Sequence, residues 1–435
     1  MRQLVKNLLR PIWRRSGARE LRMLWRYKRL KAQWVAERLP AGGRVSAQPD
    51  GPLIIIPPDP ILLVSSKGDE AMITCAIAAV RQRDKNRRII VATDGDVADQ
   101  RAARLGIESC RLNYGTSLSD SIKRIMATEP GQVLAIGADV MDGAYNPSFS
   151  FENFALIDML DVRGVPAQIT GFSVSKKPFK ELGRVFEAVG PDFIFKIRDP
   201  DSFTRFQQLS SAKSELVADP AFLLQPDAEG GNVRSYIDWI DARTALGRRV
   251  IGFNIHPLLF DDRQRAMMPK LMNLVAEELS AVMDATDVDI ALIAHDFRDE
   301  CSDWHCHIPL KAALASHSDR ILDLAEELSA GQLKAVASRL YGVVAGRMHF
   351  TIASLGVATP VLGLAYKDKV SGLMKHFGLS GKLTLEVDEL LNPGVLRAAI
   401  LDFLGRCPDL RKQIEAALPA VKDLSKRNFA FLDDV

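Results

Sequence analysis

The residues best suited to chemistry stand together at Gly346-Arg347-Met348-His349. An apolar stretch from Tyr341 to Ala345 runs into them, and a helix-forming segment follows at once. Arg347 and His349 are therefore expected at the carboxyl end of a buried strand, beside a helix N-terminus. Backbone N–H groups, the helix dipole and a guanidinium fork meet at such a point, which suits a phosphate or a carboxylate. An imidazole there can also exchange protons near neutral pH. The plain alternative is an ion pair from Arg347 to the helix, with His349 as its cap.

Other polar sets fall at comparable positions. Gly68-Asp69-Glu70 occupies a strand-to-helix turn, where glycine allows close backbone approach and the two acids can meet sugar hydroxyls or act as a base. Asp69 would equally serve as a helix N-cap, with Glu70 favoured by the dipole. Asp139 and Asp142 follow the run QVLAIGAD (132–139) and share the same case for acceptor contact. Arg198 stands next to last in DFIFKIRD (192–199), with a structural pairing to Asp199 or Asp219 as its alternative. Asp219-Pro220 favours a turn that shapes a domain junction. His295-Asp296 and the Cys301–His307 loop offer metal-ligand types, but no Cys-x2-Cys pair supports them, and no metal is expected. His295 is instead placed where it can contact phosphate.

Taken in order, these segments resemble the polysaccharide pyruvyltransferases. The stretch GRMHFTIASLGVATPVLGLAYKDK (346–369) is similar to that family's Arg-x-His before a helix, its Gly-x-Pro turn, and its following Tyr and Lys. Lys67-Gly68-Asp69-Glu70-Ala71 is similar to its N-terminal Gly-Asp turn. Gly137-Ala138-Asp139 is similar to its Gly-Gly-(Asp/Asn) loop, with Ala138 departing at the second glycine. Arg198-Asp199…Ser202, then Asp219-Pro220-Ala221-Phe222, completes the set. The resemblance implies an α/β fold of two Rossmann-like domains facing a cleft, of the glycosyltransferase-B type. It implies phosphoenolpyruvate as co-substrate, no further cofactor, and a sugar of a polysaccharide or its precursor as acceptor, lipid-linked precursors included. Arg198, Arg347, Met348 and His349 would bind phosphoenolpyruvate, with Lys369 or Lys367 completing the site. His349, Arg347 and Arg198 would be catalytic, and Gly68, Asp69, Glu70, Asp139 and Asp142 would face the acceptor. A proton reaches the methylene carbon, a sugar hydroxyl attacks, phosphate leaves, and a second hydroxyl closes a pyruvate ketal. His349 is the candidate acid, though it would equally hydrogen-bond the phosphate. Two other readings stand beside this one. The first is a nucleotide-sugar glycosyltransferase on the same fold, for which Glu326-Glu327 sits in the wrong place. The second is a non-enzymatic sugar-binding relative.

The elements that must position these residues alternate along the chain. Apolar runs at 61–66, 87–93, 132–139, 166–174, 192–199 and 215–224 alternate with helix-length segments, and a second set spans 248–256, 288–296, 320–328, 340–349 and 359–366. Continuous apolar strands of this kind belong to parallel sheets covered on both faces. The expected layout is a basic arm over 1–50, one Rossmann-like domain over 51–228, a second over 229–405, and a tail of short helices over 406–435 that crosses back to the first domain. The 435 residues carry a net +3, but residues 1–40 alone hold twelve Lys or Arg against Glu20 and Glu37. The remainder is acidic, which speaks against nucleic acid as a partner. Leu, Trp and Val among the cations of the arm suit an anionic membrane surface, or docking on the same chain or on a partner subunit. Five scattered cysteines and no 18-residue apolar window suit a cytoplasmic protein, peripheral at the inner membrane face if the arm binds lipid.

Overall fold

A computed structural model describes residues 18–39, 48–190, 192–324, 326–365, 369–379 and 383–433. β1 (Leu53–Ile56), β2 (Ile89–Thr93), β3 (Glu108–Arg111), β4 (Gln132–Ala135) and β5 (Ala167–Ile169) form a parallel sheet in the order β3-β2-β1-β4-β5. β6 (Phe195–Ile197) and β7 (Ser214–Leu216) pair with each other, and a bridge from Phe172 to Ile197 ties them to the segment after β5. β8 (Arg249–Asn254), β9 (Val288–Leu292), β10 (Ile321–Asp323), β11 (Gly342–Ala345), β12 (Val361–Ala365) and β13 (Thr384–Glu386) form the second sheet. Its order is β10-β9-β8-β11-β12-β13, again wholly parallel. Both sheets reverse their direction of growth at the first strand, between β1 and β4 and between β8 and β11. Ligands bind beyond the carboxyl ends of strands at such points.

Alternation along β1 shows how the layers assemble. Leu53 and Ile55 join a core that runs through the helix Lys67–Arg83 into the second sheet, while Ile54 and Ile56 join a separate core. That second core is rich in aromatics: Phe154, Phe172, Phe186, Phe195 and Phe206 contact one another edge-on, tilted or stacked, with Phe186 central. The expected strand at 61–66 is absent. Pro57, Pro58 and Pro60 remove ladder donors, Leu63 adopts a left-handed φ of 49°, and the run forms a loop. The sheet takes the preceding run, Leu53–Ile56, as its strand instead.

The described part of the N-terminal arm is one helix, Ala18–Glu37, docked on the helix Pro147–Asp161. Tyr27, Leu30 and Trp34 are buried. Tyr27 packs edge-on to Phe151 and Phe179, at centroid distances of 5.2 and 5.0 Å. Asp158 fixes the register by accepting from Trp34 Nε1 at 2.7 Å and from Arg38 Nε and Nη2 at 2.6 and 2.7 Å. One face of the arm therefore docks on its own chain, and residues 1–17 lie outside the described set. No described helix is long and apolar enough to cross a membrane.

The tail departs from the expected short helices. A single 32-residue helix, Val395–Lys426, runs through the proposed boundary at 405/406 and carries Pro408 and Pro419 inside it. Proline strands the carbonyl four residues back. Tyr341 Oη donates to that carbonyl of Leu404 at 3.3 Å, which helps the helix to continue. Its end does cross to the first sheet. Asn428, fully buried, accepts from Gly171 N at 2.7 Å and donates to Ala218 O at 2.8 Å. Asn428→Ala strands both buried backbone groups and is expected to cost roughly 2–4 kcal/mol. A urea midpoint unchanged from wild type would show that the crossing contributes nothing.

Candidate active site

A cavity of about 300 Å³ opens where the two sheets face each other. Pro58 follows β1, Ala138 and Asp139 follow β4, His256 follows β8, and Gly346 to His349 follow β11. The site thus sits at the switch points of both sheets. Two helix starts border it, with Ser66 and Asp69 at the Lys67–Arg83 helix and Arg347 to His349 at the Met348–Leu355 helix. First-turn amides lack partners within a helix, so both ends favour negative charge.

Arg347 caps its helix with extended backbone and receives its position from the second domain. Its amide donates to Asn254 Oδ1 at 2.9 Å. Its Nε and Nη2 donate to Asp303 Oδ1 at 2.9 and 2.7 Å, and Nη1 lies 3.1 Å from Asp296 Oδ2. Asp303 in turn accepts from Asn254 Nδ2 and from His295 N, each at 2.8 Å. Burial works against the Arg347 charge, but Asp303 and Asp296 outweigh it and raise its pKa. Asp296 also accepts from Arg298 Nε and Nη2 at 3.0 and 2.7 Å, so one carboxylate bridges two guanidinium groups in the cavity wall.

His349 also lines the cavity, with Asp219 behind it. The Nε2–Asp219 Oδ2 distance is 3.6 Å, an ion-pair separation rather than a hydrogen bond. The same Asp219 oxygen accepts from Arg198 Nη1 at 2.8 Å. Burial would raise the Asp219 pKa, but His349, Arg198 and the Ala221 amide hold it down to about 2. Gly68 packs directly on the imidazole, since a Cβ there would lie 2.2 Å from Nδ1. Only glycine leaves room for the ring.

The sequence-predicted residues divide clearly. Asp69, Asp139, Arg347, Met348 and His349 line the cavity, and Gly68 supports it. Arg198 lies behind the wall, 2% exposed, with Nε on Ser173 Oγ at 2.7 Å. Glu70 turns away from the acceptor side. It takes Lys67 Nζ at 2.7 Å and the amide of Ala330 at 3.0 Å, and so becomes a strut between domains. Asp142 is spent on backbone, accepting from Ala144 N in its own loop at 3.0 Å and from Ser175 N beyond β5 at 2.8 Å. Lys367 lies outside the described residues. Lys369 opens a helix, but its side chain lies outside them too. The expected loop over 301–307 instead opens a helix at Trp304; there Cys306 packs on Met268 sulfur at 3.5 Å and the His305 ring bonds Asp299 O at 2.9 Å, so each serves its own neighbour. Sequence reasoning missed His256 and Arg298. His256 ends a strand just as Arg347 nearly does, and Arg298 follows His295-Asp296 by two residues, so both carried a readable signal.

Asp69 is the group whose proton matters most. Burial raises its pKa from 3.8 to about 7, with Arg298 and His349 opposing and Asp59 and Asp296 adding to the rise. Between those values the folded chain keeps a proton that the unfolded chain has released, so stability falls as pH rises through the window. From about pH 5 to 7, wild type is expected to lose roughly 2 kcal/mol relative to Asp69→Asn in urea unfolding. Parallel pH profiles for the two chains would place this carboxyl in water.

Solved structures share the architecture. A UDP-GlcNAc 2-epimerase from Neisseria meningitidis bound to UDP-GlcNAc is 11% identical, with a TM-score of 0.54 over 88% of this chain and 99% of that one. The S. aureus MnaA–UDP structure is 14% identical, with a TM-score of 0.55 over 87% and 94%. A glycosyltransferase from Rickettsia africae is 9% identical, with a TM-score of 0.53 over 88% and 96%. At these identities the likeness concerns the fold, which is the two-domain glycosyltransferase-B type. The family profile for polysaccharide pyruvyl transferase matches residues 67–368, from the start of the helix that carries Asp69 to a point beyond β12. That span includes Arg198, Asp219, Arg347 and His349, and this chain therefore belongs to the polysaccharide pyruvyl transferase family.

Proposed function

We propose that the chain transfers the enolpyruvyl unit of phosphoenolpyruvate to a sugar and closes it into a pyruvate ketal. The observation that carries this reading is a pair of buried nitrogens, Arg198 Nη2 and His349 Nε2, with no hydrogen bond among the described residues. Both belong to groups gathered on one Asp219 oxygen. A small anion in the cavity can meet His349, which lines it, while Arg198 stays behind the wall and holds Asp219. Arg347 and Arg298 supply further charge once the anion displaces Asp296 from between them.

His349 delivers the proton to the methylene carbon, leaving an oxocarbenium-like centre at C2. Asp69, ionising near pH 7, takes the proton of the attacking sugar hydroxyl. The C2–O bond to phosphate then breaks, phosphate leaves with the proton of a second hydroxyl, and that oxygen closes the ring. Asp139, beside Tyr145 in the wall, faces the acceptor. The nucleotide-sugar alternative loses its adjacent acids, because Glu327 bonds Lys67 Nζ at 2.7 Å and Glu326 bonds Asn232. Calorimetric titration of phosphoenolpyruvate is expected to show binding that Arg347→Ala and His349→Ala each weaken by roughly tenfold or more. Binding of a UDP-sugar without any response to phosphoenolpyruvate would overturn the reading.

The docked helix adds a place of work. Its buried face carries Tyr27, Leu30 and Trp34, and its outer face leaves Leu21, Trp25 and Val35 between 61% and 69% exposed. Exposed Arg22 and Lys28 flank them. An apolar stripe with an interfacial Trp and bordering cations suits an anionic lipid surface, on the cytoplasmic side where phosphoenolpyruvate is available. Sedimentation with phosphatidylglycerol vesicles is expected to pull down the chain but not Leu21→Glu/Trp25→Glu/Val35→Glu. Equal recovery of both would remove this face from the interaction.

A further inference from the structure

Lys334 lies on the helix Ala330–Ala337 of the second domain, 1% exposed, and the transfer chemistry does not use it. Its Nζ donates to Phe222 O at 3.1 Å and to Ala221 O at 3.4 Å, and no carboxylate pairs with it among the described residues. Both carbonyls belong to the turn Pro220–Leu223, which Asp219 caps. The Ala221 peptide is therefore held at both ends, its N–H on Asp219 Oδ1 at 2.9 Å and its C=O on Lys334. The ammonium also lies against the far end of the helix Met348–Leu355. A Cβ on Gly356 would stand 2.8 Å from Nζ and 3.1 Å from Cε, so glycine there makes room for the amine. A cation at a helix C-terminus is favoured by the dipole, and this helix carries His349 in its first turn. One buried charge thus touches the turn that presents Asp219 and the helix that presents His349.

We propose that Lys334 is a positioning residue for His349: its charge fixes the Asp219 turn against the His349 helix and so sets the placement of the imidazole that an anion meets. Its value to the reaction rests on the transfer reading of the cavity. Burial brings the amine down to about 8, with Cys75 opposing and Lys422 adding to the fall. Those two groups face Lys334 from the helices Lys67–Arg83 and Val395–Lys426. The Cys75 thiol is itself pushed up to about 12, and Asp219 on the turn is held down to about 2, so neither changes charge where the amine does. The end of the His349 helix, Ala353-Ser354-Leu355-Gly356, has no ionisable side chain. Loss of the amine's proton exchanges charge-assisted bonds to two carbonyls for weaker neutral ones, and the frame around His349 loosens.

Carbon-13 labelling of the seven histidines in the full chain, with His349→Ala to assign one resonance, reads the imidazole directly. Without ligand, the His349 resonance is expected to move in a step centred near pH 8 that Lys334→Met lacks. Gly356→Ala, which pushes on the ammonium without removing it, is expected to move the same resonance at pH 7. A step retained in Lys334→Met would overturn the proposal, as would a resonance that Gly356→Ala leaves in its wild-type position. By calorimetry at pH 7, Lys334→Met is expected to bind phosphoenolpyruvate about three- to tenfold more weakly than wild type, with the gap closing by pH 9. Equal affinities at pH 7 would also overturn it. Urea unfolding is expected to move the opposite way. The unfolded chain keeps the proton up to 10.5, so wild type gains stability relative to Lys334→Met between pH 8 and 10.5. Affinity that falls while relative stability rises separates positioning from a plain structural contact, which would move both together. A wild-type chain that shows the His349 step but binds no phosphoenolpyruvate would sink the transfer reading and leave the role of Lys334 standing.

Discussion

A carboxylate buried in a protein is destabilising by several kcal/mol unless its lone pairs are met and its charge is paired. Asp219 is 1% exposed, and it is met from both halves of the molecule. Arg198 reaches it from the end of β6, His349 reaches it from the second sheet, and the Ala221 amide donates at 2.9 Å from the following turn. The Asp219 carbonyl accepts from Ser425 Oγ at 2.9 Å on the crossing helix. Removing any partner leaves a buried charge exposed to the others, so the junction, the crossing helix and the imidazole hold one another in register. The position of His349 against Gly68 follows from this, and with it the shape of the cavity.

Much of this architecture is legible in the sequence because parallel strands need continuous apolar runs, and such runs are hard to mistake. The runs 132–139, 192–199 and 340–349 do contain strands, Gln132–Ala135, Phe195–Ile197 and Gly342–Ala345, and Asp139, Arg198 and His349 follow those strands by one to four residues. The run at 61–66 contains none, because apolar content alone does not distinguish a strand from a loop that prolines hold open. The single long tail helix is not legible either, since Pro408 ordinarily interrupts a helix and the contact from Tyr341 that lets it continue is 63 residues away in sequence. Glu70 and Asp142 illustrate a second limit. Residue type and position place both near the acceptor, but Ala330 and Ser175, which complete the local pairings with Lys67 and Ala144, are brought in only by the tertiary structure. Arg298 lies outside every quoted run, and His256 closes the run 248–256 without an adjacent polar residue to mark it.

The electrostatics of the cavity are largely self-compensating. Arg347 and Arg298 share Asp296, and Arg347 also holds Asp303, whose remaining lone pairs are taken by Asn254 and the His295 amide. Burial lowers the His295 pKa well below its ordinary value, with His349, Arg347 and Lys67 adding to the shift, so this ring is neutral. Guanidinium groups anchored in this way are already oriented when an anion arrives. Little side-chain entropy remains to be lost, which is the physical content of preorganisation. Asp303 and Asp296 differ in this respect. Asp303 is fully engaged within the second domain, whereas Asp296 lies in the cavity wall between its two cations and is the partner an incoming anion can replace.

Asp69 connects this electrostatic frame to the relation between the domains. Its raised pKa has desolvation as its leading cause, and the desolvation comes from being enclosed between the helix that carries it and the wall formed by Arg298 and His349. Lys67 and Glu70 flank it in sequence and bind Glu327 and Ala330 across the domain boundary, while Ser66 bridges to Asp296. The contacts that close the domains therefore also exclude water from the carboxyl. Water admitted to the cleft would return Asp69 towards an ordinary carboxylate, ionised well below neutral pH and a weaker base for a sugar hydroxyl. Proton affinity at this position is thus a property of the closed arrangement. A residue with the same identity in the same sequence motif would lack that affinity on an open surface.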